Sequence, residues 1–302
     1  MFPGWLFLAL ASAAIIGAVG VIDSHFITRR MPSLRAYLLI VGLSTLVMSA
    51  VLLAAFHFPA NLPWQPLWAA IGAAVIRTAA VITMLYVLQK EDVARVIPLG
   101  ATAPVFVAVL AFMFLGERLS ALQWGAILLA VGGAVLISFK HDGGVARFES
   151  RSFFLMLFSS LLFAASDVTS KYAMTFLSFW NNAAISFFVT AVIIILGCLR
   201  IPVLHEIQGI RHRWRTVLAA GFNQVMAITA MVLAFSAIQQ GPVSLVSSVM
   251  STRPLFVFIY ALALGFLWPG FLMAAPGDRK SLALKLAATL MIITAMAVIS
   301  LA

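Results

Sequence analysis

Two arginines lie in the middle of long apolar segments of this chain. Arg77 stands in the run LWAAIGAAVIRTAAVITMLYVL, and Arg253 follows Ser251 and Thr252 in an equally apolar stretch. A guanidinium group stays ionised and binds a carboxylate or phosphate through parallel hydrogen bonds. An arginine at the centre of such a segment reaches water with difficulty. We therefore predict that both arginines bind an anionic group.

Other ionisable residues also fall inside apolar segments, where they are costly and by default face the protein interior. Asp23 and Asp167 are candidate counter-ions of the arginines, and together with His25 and Lys171 they are candidate proton-coupling residues. Two further interpretations stay open. Asp167 and Lys171 are four residues apart and can neutralise each other on one helix face. Asp23 and His25 lie near the end of their segment and can reach the membrane interface.

Neutral polar residues accompany these charges. Serine and threonine in membrane helices more often bond to their own backbone or join helices than bind ligands. Asn223 and Thr252 are favoured because an internal repeat, described below, sets them opposite Arg77 and Thr102. The substrate-binding set predicted from the sequence is Arg77, Arg253, Asn223, Thr252, Thr102 and Tyr86.

The composition requires a membrane environment. The 302 residues are 64% hydrophobic and 9% charged, whereas soluble chains average about 45–50% apolar and about 25% charged. The apolar residues form runs of roughly 20, the length of a membrane-spanning helix, without an appended soluble domain. The predicted fold is all-α, with ten spans at about 5–27, 37–56, 67–88, 93–115, 121–139, 153–177, 182–199, 216–238, 243–267 and 282–302.

The distribution of the positive residues behind the formal charge of +10 indicates how the chain is oriented in the membrane. Alternate loops carry 14 of the Lys and Arg residues, whereas the opposite side carries only Arg118. The positive-inside rule then predicts cytoplasmic basic loops and both termini outside. We expect a lipid bilayer and a small molecule as partners, and no nucleic acid. The single cysteine, Cys198, excludes an internal disulfide framework.

The chain contains an internal repeat. A shift of 150 residues aligns VARVIPLGATAPVFVAVLA (93–111) with VSLVSSVMSTRPLFVFIYA (243–261). Upstream, Arg77 aligns with Asn223, and Asp23 aligns more weakly with Asp167. Residues 1–140 and 141–302 are thus predicted to be two five-span copies. Because five is odd, the second copy is inverted, an architecture of many secondary transporters, in which substrate binds near the midplane between the copies.

The stretch PLGATAPVFVAVLAFMFLGERLSALQWGAILLAVGG (98–133) resembles the EamA family of the drug/metabolite transporter superfamily. The resemblance implies a carrier of amino acids, nucleoside-like metabolites, drugs or other small organic molecules, often outward. The second copy departs from the pattern at GFLWPGFLMAAPGDRKS (265–281). Members of the family are usually drawn with both termini cytoplasmic, which is opposite to the orientation that the loop charges predict.

The sequence therefore predicts a secondary active transporter, an exporter or exchanger, working by alternating access. The excess of Arg77, Arg253 and Lys171 over the two aspartates favours a substrate with an anionic group. We expect a bacterial cytoplasmic membrane, a monomer or homodimer, and no cofactor or metal. The alternatives are a transport-inactive scaffold or subunit, a channel, and an intramembrane enzyme. The enzyme is disfavoured because H-E-x-x-H and G-x-S-x-G motifs are absent.

Prolines interrupt two of the predicted spans. Pro98 and Pro104 lie in span 4, and Pro254 occupies the position in span 9 that matches Pro104. A proline removes a helix hydrogen bond, and the freed carbonyl is tolerated in a membrane only where it lines a protein cavity. We predict hinges at Pro104 and Pro254 and a local kink at Pro98.

The segment between spans 4 and 5, GERLS, is interpreted as a tight turn, with Ser120 and Gln123 forming a capping box. Gly125, Gly132 and Gly133 make one side of span 5 small, which predicts close helix packing.

Overall fold

The computed structural model describes residues 3–57, 64–90, 100, 102–137, 150–210, 213–257, 259–260, 287–295 and 298, and the regular secondary structure of these residues is helical. In chain order the helices are α1 (Gly4–His25), α2 (Leu34–Ala55), α3 (Trp64–Lys90), α4 (Ala103–Leu115), α5 (Ala121–Ile137), α6 (Ser150–Ala173), α7 (Phe179–Cys198), α8 (Ile201–Gln208), α9 (Arg213–Gln240) and α10 (Val243–Met250). A π-helical turn, Phe26–Arg30, continues α1. Residues 253–257 and 287–295 are also helical.

Among the described helices, six are long and apolar enough to cross a membrane: α1 with its π-helical turn, α2, α3, α6, α7 and α9. Their ends lie within four residues of the predicted spans. Shorter apolar helices coincide with predicted spans 4, 5 and 9. The first part of predicted span 4, with Pro98, and about half of span 10 lie outside the described residues. The chain is a multi-pass membrane protein, and the regular secondary structure of its described residues is all helical.

Helix ends are fixed by local polar groups. The Ser33 hydroxyl accepts a hydrogen bond from the Ala36 N–H (3.2 Å) at the start of α2, and Ser178 does the same at the start of α7. These side chains satisfy N–H groups that have no partner within the helix. Ser120 and Gln123 form the reciprocal capping box predicted from the sequence, at 2.9 and 3.2 Å.

The main packing pairs join the first half of the chain to the second. Helix α1 packs on α9, α3 on α6, and α2 on α7, and further contacts join α4 to α6, α1 to α10, α3 to α7, α2 to α9 and α4 to α10. Serines tie several of these pairs together. Ser12 donates to the Ala230 carbonyl (2.7 Å) and Ser159 donates to the Ala80 carbonyl (2.8 Å). Each half thus provides the packing surface of the other.

Glycines permit close approach at two helix crossings. A Cβ at Gly42 of α2 would lie 2.9 Å from Cγ2 of Ile194 in α7, and one at Gly133 of α5 would lie 2.9 Å from the carbonyl oxygen of Ala288. Gly133 therefore packs against the helical residues 287–295, as the small side of span 5 predicts. Gly125, by contrast, has no atom within 4 Å of such a Cβ.

Helical segments begin at matching positions in spans 4 and 9. Helix α4 starts at Ala103, and α10 ends at Met250, with a turn at residues 251–252 before helix resumes. The Thr102 carbonyl accepts from the Val105 N–H (3.1 Å), and the Thr252 carbonyl accepts from the Leu255 N–H (2.9 Å). These pairs are equivalent under the shift of 150 residues.

The predicted bend at the two prolines is thus corrected in detail. Pro104 and Pro254 do not lie in the middle of a helical segment; each occupies the first turn of one, and in span 9 the break lies at Ser251–Thr252. Proline is well accommodated there because a first-turn N–H has no partner within the helix. That the two sites act as hinges stays a prediction.

Candidate functional site

A cavity of about 230 Å³ lies between the two halves of the chain. Helices α1, α3 and α4 line it from the first half, and α6, α9, α10 and the residues after α10 line it from the second. Its wall is largely apolar and includes Met84, Met156, Met231 and Met250. The charged or helix-breaking residues in the lining were all predicted from the sequence: Asp23, Arg77, Asp167, Arg253, Pro104 and Pro254.

Arg77 is neutralised within the protein. Its Nη2 donates to Oδ1 of Asp167 in an ion pair, and the two side chains are only 13% and 16% exposed. The guanidinium carbon also lies 5.3 Å from the ring centroid of Phe235 and 5.9 Å from that of Phe163, at cation–π distance. Of the two counter-ions considered for the arginines, Asp167 is therefore the partner of Arg77.

Asp23 is held by neutral donors. Nδ2 of Asn223 in α9 donates to Oδ1 of Asp23 over 2.6 Å, and the Tyr37 hydroxyl of α2 donates to the same oxygen. Tyr37 was missed by sequence reasoning because a tyrosine near the end of a span is typical of an interfacial aromatic belt. Asn223 does not line the cavity, but its amide holds a carboxylate that does.

These polar contacts occur in equivalent pairs. The sequence alignment sets Arg77 opposite Asn223 and Asp23 opposite Asp167, and the structure joins Asp23 to Asn223 and Asp167 to Arg77. In each contact, an aspartate from the first span of one half binds a residue from the third span of the other half. The two third-span residues, Arg77 and Asn223, occupy equivalent positions in the alignment. The weak alignment of the two aspartates is thus supported by geometry.

A second pair of contacts follows the same relation. The Thr78 and Thr190 hydroxyls are 2.8 Å apart, and Nε2 of Gln224 donates to the Thr45 hydroxyl over 3.0 Å. Thr78 aligns with Gln224 by the shift that aligns Arg77 with Asn223. The contact between α3 and α7 is therefore equivalent, under the repeat, to the contact between α9 and α2.

Arg253 has no such partner in the part of the chain that the structure describes. Its Nε is buried without a hydrogen bond, and no ion pair or hydrogen bond joins its guanidinium to another of the described residues. Asp167 and Arg77 are its charged neighbours, but the carboxylate of Asp167 is already engaged. Arg253 thus presents a positive charge to the cavity, where it can bind an anionic group.

Lys171 does not neutralise Asp167, contrary to the interpretation based on their spacing. Its Nζ donates to the carbonyls of Ile238 (2.6 Å), Gln239 (3.2 Å) and Gly241 (2.9 Å). The last carbonyls of a helix have no partner within the helix and attract cations. The end of α9 offers such carbonyls to Lys171, whereas Asp167 pairs with Arg77.

The remaining predicted residues lie off the cavity lining. His25 accepts a hydrogen bond from Nε of Arg30 (3.4 Å) at the end of its segment. The Tyr86 ring centroid lies 4.7 Å from the Lys90 ammonium nitrogen, and the Thr252 hydroxyl, just after α10, donates to the Val249 carbonyl of that helix (2.8 Å). Thr102 precedes the first residue of α4. No group of three His, Cys, Asp or Glu side chains is placed to hold a metal within the described ranges.

Glu117 has a structural role that the sequence did not reveal. Gly116, with φ of 67°, ends α4 in a left-handed turn, so that GERLS is a tight turn as predicted. The Glu117 carboxylate accepts from the N–H groups of Val243 (2.8 Å) and Ser244 (3.3 Å) and from the Ser244 hydroxyl. A residue of the first half thereby caps the start of α10.

Comparisons with known proteins agree with this architecture. A solved crystal structure superposes with a TM-score of 0.69 over 98% of this chain and 95% of its own, at 18% identity, which shows a common fold. A protein of Sinorhizobium sp. described as "Uncharacterized transporter in cobO 3′ region" is 28% identical over 147 residues, which are 46% of this chain and 99% of that protein.

These similarities indicate a transporter rather than an enzyme. Residues 3–139 match the family described as the EamA-like transporter family, which belongs to the drug/metabolite transporter superfamily. The matched residues include Asp23 and Arg77, which the first half of the chain supplies to the cavity.

Proposed function

We propose that this chain is a secondary active transporter of small organic molecules that carry an anionic group. It works by alternating access around the cavity between residues 1–140 and 141–302, as an exporter or exchanger. The observation that carries the proposal is Arg253, a cation without a hydrogen-bond or ion-pair partner among the described residues, in a cavity to which both halves contribute.

The two halves are proposed to be inverted five-helix repeats. Nearly every principal packing pair has a matching pair with the halves exchanged: α1–α9 with α3–α6, α4–α6 with α1–α10, and α3–α7 with α2–α9. The pairs α2–α7 and α4–α10 each consist of two equivalent helices, so exchange of the halves leaves them unchanged. The equivalent polar contacts of Asp23 and Asp167 support the same relation. Inverted repeats allow a transporter to open alternately to each side around a fixed site.

The cavity favours a small anionic substrate. Its volume, about 230 Å³, is below the roughly 300–1,000 Å³ of sites for drug-sized ligands. Besides Arg253, the cavity is lined by Ala103 and Pro104 in the first turn of α4, whose N-cap residue Thr102 provides no side-chain cap. An N–H group at the start of a broken membrane helix is a typical partner of an anionic substrate group, and of these two residues only Ala103 carries one, because proline has no N–H.

The apolar part of the cavity wall suggests that the non-anionic part of the substrate can vary in shape. Four methionines contribute to the wall, and their flexible, polarizable side chains adapt to differently shaped apolar groups. We therefore propose recognition of the anionic group by Arg253 and loose recognition of the remainder.

The test is a thermal-shift screen of small carboxylates and phosphorylated compounds on purified protein, followed by counterflow in liposomes. We expect a stabilising ligand whose effect is lost in Arg253→Gln and partly kept in Arg253→Lys, which retains the charge but not the guanidinium geometry. Arg77→Ala serves as the second variant and is expected to weaken the effect indirectly, because it releases Asp167 to pair with Arg253. Ligands indifferent to Arg253, or a purified protein without saturable counterflow, would contradict the proposal.

We also propose that the protein lies in a bacterial cytoplasmic membrane with its basic loops in the cytoplasm and both termini outside. The asymmetry of Lys and Arg between alternate loops supports this orientation. Reporter fusions that fluoresce only in the cytoplasm test it: a fusion at residue 302 is expected to be dark, and a bright one would reverse the orientation.

A further inference from the structure

The two equivalent aspartate contacts differ in charge. Asp167 meets a guanidinium, whereas Asp23 meets an amide and a phenol hydroxyl. The repeat relation therefore places two carboxylates in the same kind of position and gives only one of them a compensating cation. Among the described residues, no ion pair includes Asp23.

We propose that Asp23 is the proton-binding residue of the cavity, and that its proton strengthens the contact between α1 and α9. This inference deepens the proposed function, on which its consequence for transport rests. Of the proton-coupling candidates, Asp167 and Lys171 are engaged in fixed polar contacts and His25 lies off the cavity. Asp23 alone of these four combines cavity exposure with neutral partners.

Charge balance explains why Asp167 is not the proton acceptor. A proton on Asp167 would leave Arg77 as an uncompensated cation in a largely buried site, which is strongly unfavourable. A proton on Asp23 leaves no such charge behind, because Tyr37 and Asn223 are neutral. Burial without a cation also favours the neutral form of a carboxyl group.

The local hydrogen-bond geometry provides a place for the proton. Both donors bind Oδ1 of Asp23, so Oδ2 is the oxygen that can be protonated without displacing either of them. Oδ1 of Asn223 is buried and has no hydrogen-bond partner. A protonated Asp23 can donate to that oxygen while the amide N–H still donates to the carboxyl group, which closes an acid–amide pair between α1 and α9.

The charged or titratable groups that surround Asp23 leave this proton site open. Arg77 and Asp167 neutralise each other across the cavity, and Arg253 makes no ion pair with Asp23. The groups that face or flank Asp23 are Tyr37 from α2, Arg253 after α10, Arg77 and Asp167 across the cavity, and His25, Arg29 and Arg30 at the end of its own segment.

The consequence for transport follows from the packing. Because α1 and α9 come from different halves, their contact must rearrange when the cavity opens to one side. Binding and release of one proton add and remove a hydrogen bond across that contact. A proton gradient would thereby bias the opening.

The test uses protons alone and needs no known substrate. The chain has only 9 acidic residues, so infrared difference spectra between low and high pH can resolve the carbonyl stretch of individual protonated carboxyl groups. In reconstituted protein we expect one band of a buried carboxyl that is lost in Asp23→Asn and kept in Asp167→Asn. A band that persists in Asp23→Asn or disappears in Asp167→Asn, or the lack of any such band, would overturn the proposal.

A second variant protects against a folding artefact. Asn223→Ala removes the acceptor but leaves Asp23 in place, so the band is expected to remain and to shift in frequency. An unshifted band would show that Asn223 does not bind the protonated acid.

Once a substrate is identified, an imposed pH gradient is expected to change the rate of uptake by the wild type and not by Asp23→Asn. Uptake by Asp23→Asn that still responds to the gradient would refute the proton site but not the transporter. Conversely, a band assigned to Asp23 in a protein without any counterflow would refute the transporter but not the proton site.

Discussion

The ion pair between Arg77 and Asp167 allows a quantitative prediction. Arg77→Met removes the cation that pairs with the Asp167 carboxylate, and Asp167→Asn removes the anion that pairs with Arg77. Breaking a buried ion pair on one side costs about 3–5 kcal/mol. Since both side chains are slightly exposed, at 13% and 16%, we expect the lower end, about 3 kcal/mol. Arg77→Met should cost about 1 kcal/mol more, because it also removes the cation–π contacts with Phe163 and Phe235.

Cys198 provides the assay. It is the single cysteine of the chain and is 7% exposed, so a thiol-reactive dye reports its exposure on heating in detergent. At about 2 °C per kcal/mol, as for larger domains, each single variant should lower the unfolding midpoint by about 6 °C or more.

The double variant Arg77→Met/Asp167→Asn decides whether the pair is the cause. Removing both charges leaves neither member of the pair without its partner, so the double variant should be more stable than either single variant. Losses that simply add in the double variant, or single losses below about 1 kcal/mol, would refute the reasoning.

Three further predictions concern helix ends and crossings. Glu117→Ala should lower the unfolding midpoint by an amount corresponding to about 1–2 kcal/mol, because it removes the cap of α10, and hydrogen exchange should accelerate at Val243 and Ser244; unchanged exchange there would argue against the cap. Lys171→Met should lower the free energy of unfolding by about 1 kcal/mol, because the carbonyls at the end of α9 lose their cationic donor. The same dye assay measures this loss, and an unchanged midpoint would show that water replaces the ammonium group. Gly133→Ala should lower the free energy of unfolding by about 1–3 kcal/mol, because the added methyl group overpacks the helix crossing. The matched control Gly125→Ala should leave stability unchanged or raise it by about 0.5–1 kcal/mol. Equal effects of the two substitutions would contradict the close crossing at Gly133.

Hydropathy and segment length were sufficient to predict most helices, because a bilayer imposes both on a spanning helix. The short helix α8 escaped prediction because eight residues in a polar loop leave no such mark. The break before Pro254 was displaced by two or three residues from the predicted bend. Proline identifies the interruption, but the turn that accommodates it depends on the preceding residues.

The polar contacts were only partly predictable. The repeat alignment paired Arg77 with Asn223 and Asp23 with Asp167, and the structure brings these four residues together in contacts that cross the pairs. The sequence left the counter-ion of each arginine open, because charge alone does not tell which helices are neighbours. The interpretation of Lys171 was wrong for the same reason, since spacing along α6 could not reveal the end of α9.

The separation of 90 residues between Arg77 and Asp167 has a consequence for how the protein is made. At a synthesis rate of about 5–20 residues per second, Arg77 emerges roughly 5–18 s before its counter-ion. During that interval the apolar segment around Arg77 carries an unpaired charge, which costs about 2.5–3.5 kcal/mol at the centre of a membrane helix. We therefore expect α3 to remain beside the insertion machinery until α6 arrives, so that release of the first half into the lipid awaits translation of the second.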